Sequence, residues 1–176
     1  AVVDGTVYVG SKDGIFYALG SSDGTEQWTF DTGNDIESSP AVAGATVYFG
    51  NQSGTVYALT SGGSKQWEAQ ADGMVPEALT VVGDAVYVPL RVNSYNTDLL
   101  SLQVEDGTTR WEYGDGGTAT PAVVDGTVYT AKTYLNALTA DNGDRVWERG
   151  TGTTCAPTYN NNSVYTASAH KWSLYP

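Results

Sequence analysis

Residues 40–70 read PAVAGATVYFGNQSGTVYALTSGGSKQWEAQ. This stretch divides into four short segments: Ala41-Val42, Thr46 to Gly50, Thr55 to Thr60 and Lys65 to Gln70. Each is rich in Val, Tyr, Phe, Thr or Trp, and Gly, Asn and Ser stand between them, which is the pattern of strands separated by turns. No apolar period of 3.6 residues runs through it, so helix is not expected.

The same unit recurs along the chain, and a recurring unit decides the fold before any local reading does. Val-Tyr stands at Val7-Tyr8, Val47-Tyr48, Val86-Tyr87, Val128-Tyr129 and Val164-Tyr165, with tyrosine intervals of 40, 39, 42 and 36 residues. Gly-x-x-x-Trp stands at Gly24/Trp28, Gly63/Trp67, Gly107/Trp111 and Gly143/Trp147, with intervals of 39, 44 and 36. Pro-Ala-Val opens units at Pro40 and Pro121, and Pro157 holds the same place in the last copy. Asp4-Gly5, Asp13-Gly14, Asp23-Gly24, Asp106-Gly107, Asp125-Gly126 and Asn142-Gly143 supply the positive φ that two-residue hairpin turns require, so tight hairpins are expected at all six. Four-stranded units of about 40 residues make an all-β propeller in which each unit is one blade. The expected blades are 1–39, 40–78, 79–120 and 121–156, with a partial fifth at 157–176.

The third unit carries about four extra residues between its second and third strands, within Pro89 to Asp98, and the fourth is about two residues shorter, at Ala131 to Leu135. Aligning Val164-Tyr165 with Val128-Tyr129 sets Trp172 opposite Asn136, so Trp172 is not a fifth copy of the outer tryptophan. Ala1 to Tyr8 repeats Ala122 to Tyr129 residue for residue. Four blades and part of a fifth leave an edge that a closed propeller does not have. The expectation is a segment of a propeller of six to eight blades, with an assembly of two such chains as the alternative.

Composition narrows the partners. Twenty Asp plus Glu against eight Lys plus Arg give the 176 residues a net charge of −12. That charge repels phosphate backbones, so nucleic acid is not an expected partner. Charged residues make up only 16% and aromatics 11%, the reverse of a disordered chain. No apolar run reaches the roughly 18 residues of a membrane helix. The single cysteine, Cys155, excludes an intrachain disulfide and a multi-cysteine zinc site. An aspartate-rich, lysine-poor surface suits a halophilic protein and equally the acidic loops of an ordinary secreted one.

The motif Ala-Leu-x-x-x-x-Gly-x-x-x-Trp resembles the tryptophan-docking repeat of the pyrroloquinoline quinone (PQQ) propeller superfamily. It stands as Ala18-Leu19 to Trp28, Ala58-Leu59 to Trp67 (one residue shorter), Ser101-Leu102 to Trp111 and Ala137-Leu138 to Trp147. The likeness covers essentially the whole chain. It implies that Trp28, Trp67, Trp111 and Trp147 sit on outer strands and dock between blades, with Gly24, Gly63, Gly107 and Gly143 permitting tight hairpins. The superfamily holds quinoprotein alcohol dehydrogenases and non-catalytic scaffolds such as the BamB-like lipoproteins of outer-membrane barrel assembly, as well as cell-surface proteins.

The dehydrogenases resemble one another in an adjacent Cys-Cys disulfide, a calcium site with acidic and Asn ligands, and a catalytic Asp. Cys155 has no cysteine neighbour, and no acid stands out from the turn acids, so no catalytic, cofactor-binding or metal-binding residue is assigned. Asp141-Asn142-Gly143-Asp144 lacks the spacing of a calcium loop and coincides with a blade turn. His170 and Cys155 have nothing that places them together as base and nucleophile. Asn51-Gln52-Ser53 and Asn161-Asn162-Ser163 match the glycosylation sequon, which matters only in an exported protein.

The expected function is therefore a non-enzymatic scaffold at the cell surface, outside the cell or in the periplasm, binding a protein partner or another copy of the chain. The expected binding segment is the enlarged loop Arg91 to Thr97, because Arg91 and Tyr95 are residue types favoured at binding hot spots. A segment of a PQQ- and calcium-dependent dehydrogenase, or a component of a surface assembly or filament, are the alternatives.

Overall fold

The computed structural model describes residues 1–117, 119–150, 155–161 and 163–167; His170 and Trp172 lie outside them. The described residues contain no helix. They form four antiparallel four-stranded sheets and one two-stranded sheet, each a meander in chain order. Blade one comprises β1 (Val2–Val3), β2 (Thr6–Gly10), β3 (Ile15–Gly20) and β4 (Glu26–Asp31). Blade two comprises β5 (Ala41–Ala43), β6 (Thr46–Gly50), β7 (Thr55–Thr60) and β8 (Lys65–Gln70). Blade three comprises β9 (Thr80–Val82), β10 (Ala85–Arg91), β11 (Thr97–Gln103) and β12 (Thr109–Gly114). Blade four comprises β13 (Ala122–Val124), β14 (Thr127–Ala131), β15 (Tyr134–Thr139) and β16 (Arg145–Gly150). A further pair, β17 (Thr158–Asn160) and β18 (Ser163–Tyr165), follows. The first strands of successive sheets touch (β5 with β9, β9 with β13, β13 with β17), so they lie inside and the fourth strands outside. This is part of a β-propeller.

The core lies between sheets, not on one face of each. Phe16 of blade one stacks on Phe49 of blade two at 3.9 Å, with Tyr8, Val47, Tyr57 and Leu59 around them. Tyr48, Val56 and Trp67 meet Val86, Val88, Leu100 and Leu102 at the next seam, and Tyr87, Leu99 and Trp111 meet Val128 and Leu138 at the one after. The middle strands of blades two and three are thus covered on both faces. That is why β7 and β10 read as continuous apolar runs, without the alternation of a half-exposed strand.

The repeated Ala-Leu marks a bulge in the outer ladder. Ala18 pairs Trp28 but Leu19 pairs Glu26, and the same slip recurs at Ala58/Leu59, Ser101/Leu102 and Ala137/Leu138. The residue before each tryptophan is the extra one, and it bends the outer strand. Ala18, Ala58 and Ala137 are fully buried, and Ser101 replaces them in blade three, equally buried, with its hydroxyl unpartnered. An unsatisfied buried hydroxyl costs about 1–3 kcal/mol. Ser101→Ala is therefore expected to stabilise the protein by about 1 kcal/mol. A urea midpoint that stays put or falls in this variant means that the hydroxyl does find a partner.

Two expectations need correcting. Of the six Asp-Gly or Asn-Gly pairs, only Asp4-Gly5 and Asp125-Gly126 have positive φ at both residues. At the other four only the glycine does, because those loops are longer and the acid or amide serves as an acceptor. Asp23 Oδ1 accepts the Thr25 backbone N–H at 3.0 Å, Asp106 Oδ1 that of Thr108 at 3.0 Å, and Asn142 Oδ1 that of Asp144 at 3.1 Å. Side chains of this kind close a turn without a positive φ of their own. The second correction concerns the enlarged segment of blade three. Pro89, Leu90 and Arg91 pair Leu99, Asp98 and Thr97, so most of the extra residues lengthen β10 and β11. Burial of Leu90 and Leu99 holds that extension, and the loop itself is only Val92 to Asn96.

Candidate interaction surface

Three tryptophans are seated on the following blade. Trp28 lies over Gly63 and its indole N–H donates to the carbonyl of Ser61 at 2.9 Å. Trp67 lies over Gly107 and donates to Val104 at 2.9 Å, and Trp111 lies over Gly143 and donates to Ala140 at 2.9 Å. A Cβ on Gly63, Gly107 or Gly143 would stand 2.6–2.8 Å from the indole, so the glycine is the floor of the seat as well as a turn residue. Nothing lies within 4 Å of a Cβ on Gly24. Trp147 is 39% exposed.

The chain's β2–β3, β6–β7, β10–β11 and β14–β15 loops share one rim with the connections that run from each outer strand to the next inner one. Two of these loops and the end of β10 converge on Glu37, in the connection from β4 to β5. Lys12 pairs with Glu37 at 2.8 Å, Gln52 donates to its other carboxylate oxygen, and Arg91 adds a favourable field. The Lys12 hydrogen bond and charge, then Arg91, hold the Glu37 carboxyl below its ordinary range. Below this rosette Ile36 packs on Gly10 and Val75 on Gly50.

The loop Val92 to Asn96 stands on the longest strand pair among the described residues, seven residues each against five and six for the same pair in blades one, two and four. At about 3.3 Å per residue, one or two added residues raise its tip by about 3–7 Å. Asn93 Oδ1 closes the tip by accepting the Tyr95 and Asn96 N–H groups, both at 2.9 Å. Tyr95 is 84% exposed. The Arg91 backbone is paired with Met74 of the blade-two connection, at 3.0 and 2.9 Å. So Arg91 and Tyr95 lie at the base and tip of the same projection.

Blade four reaches this loop. Lys132 Nζ donates to the Tyr95 carbonyl and to Asp115 Oδ1, each at 2.7 Å. Asp115, at φ +70°, belongs to the connection Asp115 to Pro121 and takes its own N–H bond to Asp98 at 3.3 Å. Its Gly116 and Gly117 are clamped from both sides. Gly117 N–H donates to Thr97 Oγ1 at 3.1 Å, and Thr130 Oγ1 donates to the Gly116 carbonyl. A Cβ on Gly116 would meet Leu99 and one on Gly117 would meet Ala131. Sequence reasoning found Arg91 and Tyr95 but not Lys132, Asp115 or Glu37. The glycine-rich run Gly114-Asp115-Gly116-Gly117, unlike any other connection of the chain, was the available signal.

Glu112 and Asp72 line a cavity of about 130 Å³ between blades two and three, and burial, then the charges of Asp98 and Asp72, push the Glu112 carboxyl up. Yet among the described residues no three His, Cys, Asp or Glu side chains are placed to hold a metal ion. Asn51 of the first sequon is fully buried, with Oδ1 accepting from Ser53 and Thr55, so no glycan can reach it in the folded chain.

A protein-family model described as outer membrane protein assembly factor BamB matches residues 1–174. No curated protein matches the chain. Among solved structures, BamB from Moraxella catarrhalis superposes with a TM-score of 0.83 at 23% identity, covering 96% of this chain and 57% of that one. The quinohemoprotein alcohol dehydrogenase ADHIIG from Pseudomonas putida HK5 gives 0.75 at 17% identity, covering 94% of this chain and 37% of that one. A europium-containing methanol dehydrogenase gives 0.72 at 15%, covering 84% and 40%. The chain thus spans little more than half, or less, of the structures that it resembles. At these identities the likeness establishes the fold.

Proposed function

Since the chain belongs to the family described as outer membrane protein assembly factor BamB, we propose that it is a non-enzymatic propeller scaffold, exported from the cytoplasm, that binds a protein partner or another copy of itself. The binding element is the loop from Arg91 to Thr97. One observation carries the reading: a braced, projecting loop whose tip exposes 84% of Tyr95 beside an exposed Arg91. Loops on a rigid scaffold carry recognition. The tip Val92-Asn93-Ser94-Tyr95-Asn96 has the composition of adaptable paratopes, in which Tyr gives contact area at small entropic cost and Asn and Ser give hydrogen bonds. The projection is convex, so its partner presents a cleft and is not a small molecule taken into a pocket.

The test replaces residues 92–96 by Asn-Gly, a two-residue turn that closes the same strand pair. The variant is expected to melt close to the parent and to lose the proteins that photo-cross-link to a probe at Tyr95. Cross-links from a probe on the opposite rim, at Asp106, should be fewer and unaffected. Undiminished capture by the shortened loop sinks the binding role. Dye reduction on adding PQQ with calcium overturns the non-enzymatic reading.

A further inference from the structure

We propose that Lys132 is a latch: from blade four it holds the tip of the blade-three loop in one conformation, and its release lets the tip open while the propeller stays folded. The inference builds on the binding role given to the loop above. The loop's other supports are local, namely the Asn93 turn and the Val92 and Asn93 N–H bonds to the Asn96 carbonyl. Those bonds close the tip on itself and do not fix it to the rim. Lys132 does so through the carbonyl of Tyr95, the aromatic residue at the loop's tip. Its side chain is only 28% exposed, so the ammonium is held close to the protein surface, where both of its bonds are charge-assisted.

The far end of the latch is fixed. Asp115 holds the second Lys132 bond from a backbone position that favours glycine or asparagine, and neighbours on both sides impose that conformation. Aspartate tolerates the left-handed region better than most residues, as Asp4 and Asp125 also do in this chain. Here it aims a carboxylate at Lys132. The consequence for recognition is pre-organisation: a tip already in its bound shape loses less freedom when a partner closes on it.

The experiment reads the loop in the isolated full chain, with no partner present, so it stands apart from the binding test above. Lys132→Met keeps the stem and removes the donor; Asp115→Asn keeps a residue that tolerates positive φ and removes the charge. Chymotrypsin cleavage after Tyr95 and hydrogen exchange at the Asn96 amide report opening, since cleavage follows the population of the open form. Lys132→Met should speed both about tenfold, the effect of losing one charge-assisted hydrogen bond. Asp115→Asn should give a smaller increase, because the Tyr95 carbonyl keeps its donor. Melting temperature and cleavage at other tyrosines should not change. Unchanged cleavage after Tyr95 in Lys132→Met overturns the latch. So does cleavage that rises equally at all sites with a lower melting temperature, which makes Lys132 a general structural residue.

Discussion

Trp67→Ala lowers stability by about 3–5 kcal/mol, the range for truncating a core aromatic. Trp67 is 8% exposed, tilts against Tyr48 at 5.9 Å and covers Gly107 of the next blade. Its removal leaves a cavity at a seam that no single blade can close. It also strips the Val104 carbonyl of its indole donor, although water can reach that carbonyl once the ring is gone. The result is read as the change in urea unfolding free energy. Trp147→Ala is the internal comparison, since that ring is 39% exposed and should cost clearly less. A loss below about 1 kcal/mol for Trp67→Ala, within the scatter of ordinary surface substitutions, means that the blades dock without the indole.

Much of this architecture was legible because its causes are local. Strands of blade two fall where Val, Tyr and Phe alternate with turn residues, and the outer-strand segment Lys65 to Gln70 is as read from the sequence. Periodicity then multiplies a weak local signal, since an ambiguous segment in one unit is fixed by its copies. What the sequence concealed is contact between units. Nothing in Ala-Leu announces that Gln27, Gln66, Arg110 and Val146 are bulged, because a bulge is a property of two paired strands.

The interaction surface follows the same division. Arg91 and Tyr95 could be named because an insertion interrupts the repeat. Lys132 sits in the shortest of the corresponding loops, 37 residues or more from either, and a lysine in a short loop reads as solvated. Only the folded seam between blades three and four brings its ammonium to the Tyr95 carbonyl. The enlarged segment misled in another way. Counting residues gave its length, but the apolar pair Leu90 and Leu99 decides how much of it remains strand.

The second large effect separates two roles that one glycine plays. Gly24 and Gly107 hold equivalent places in their hairpins, with φ of +71° and +74°. A Cβ on Gly24 would meet nothing within 4 Å, whereas one on Gly107 would stand 2.6 Å from Cε3 of Trp67. Gly24→Ala should therefore cost only the left-handed backbone penalty of about 1–2 kcal/mol. Gly107→Ala carries that penalty and must also push the indole off its seat, which adds about 1–3 kcal/mol of overpacking. The indole is not the free end of a flexible chain: its N–H is tied to Val104, so it yields only by giving up that bond. Urea unfolding of the two variants measures the difference, and Trp67 fluorescence in Gly107→Ala should shift to the red as the ring gains water. Equal losses for the two substitutions mean that these glycines serve the turn alone, and the seat beneath each tryptophan then has no energetic role.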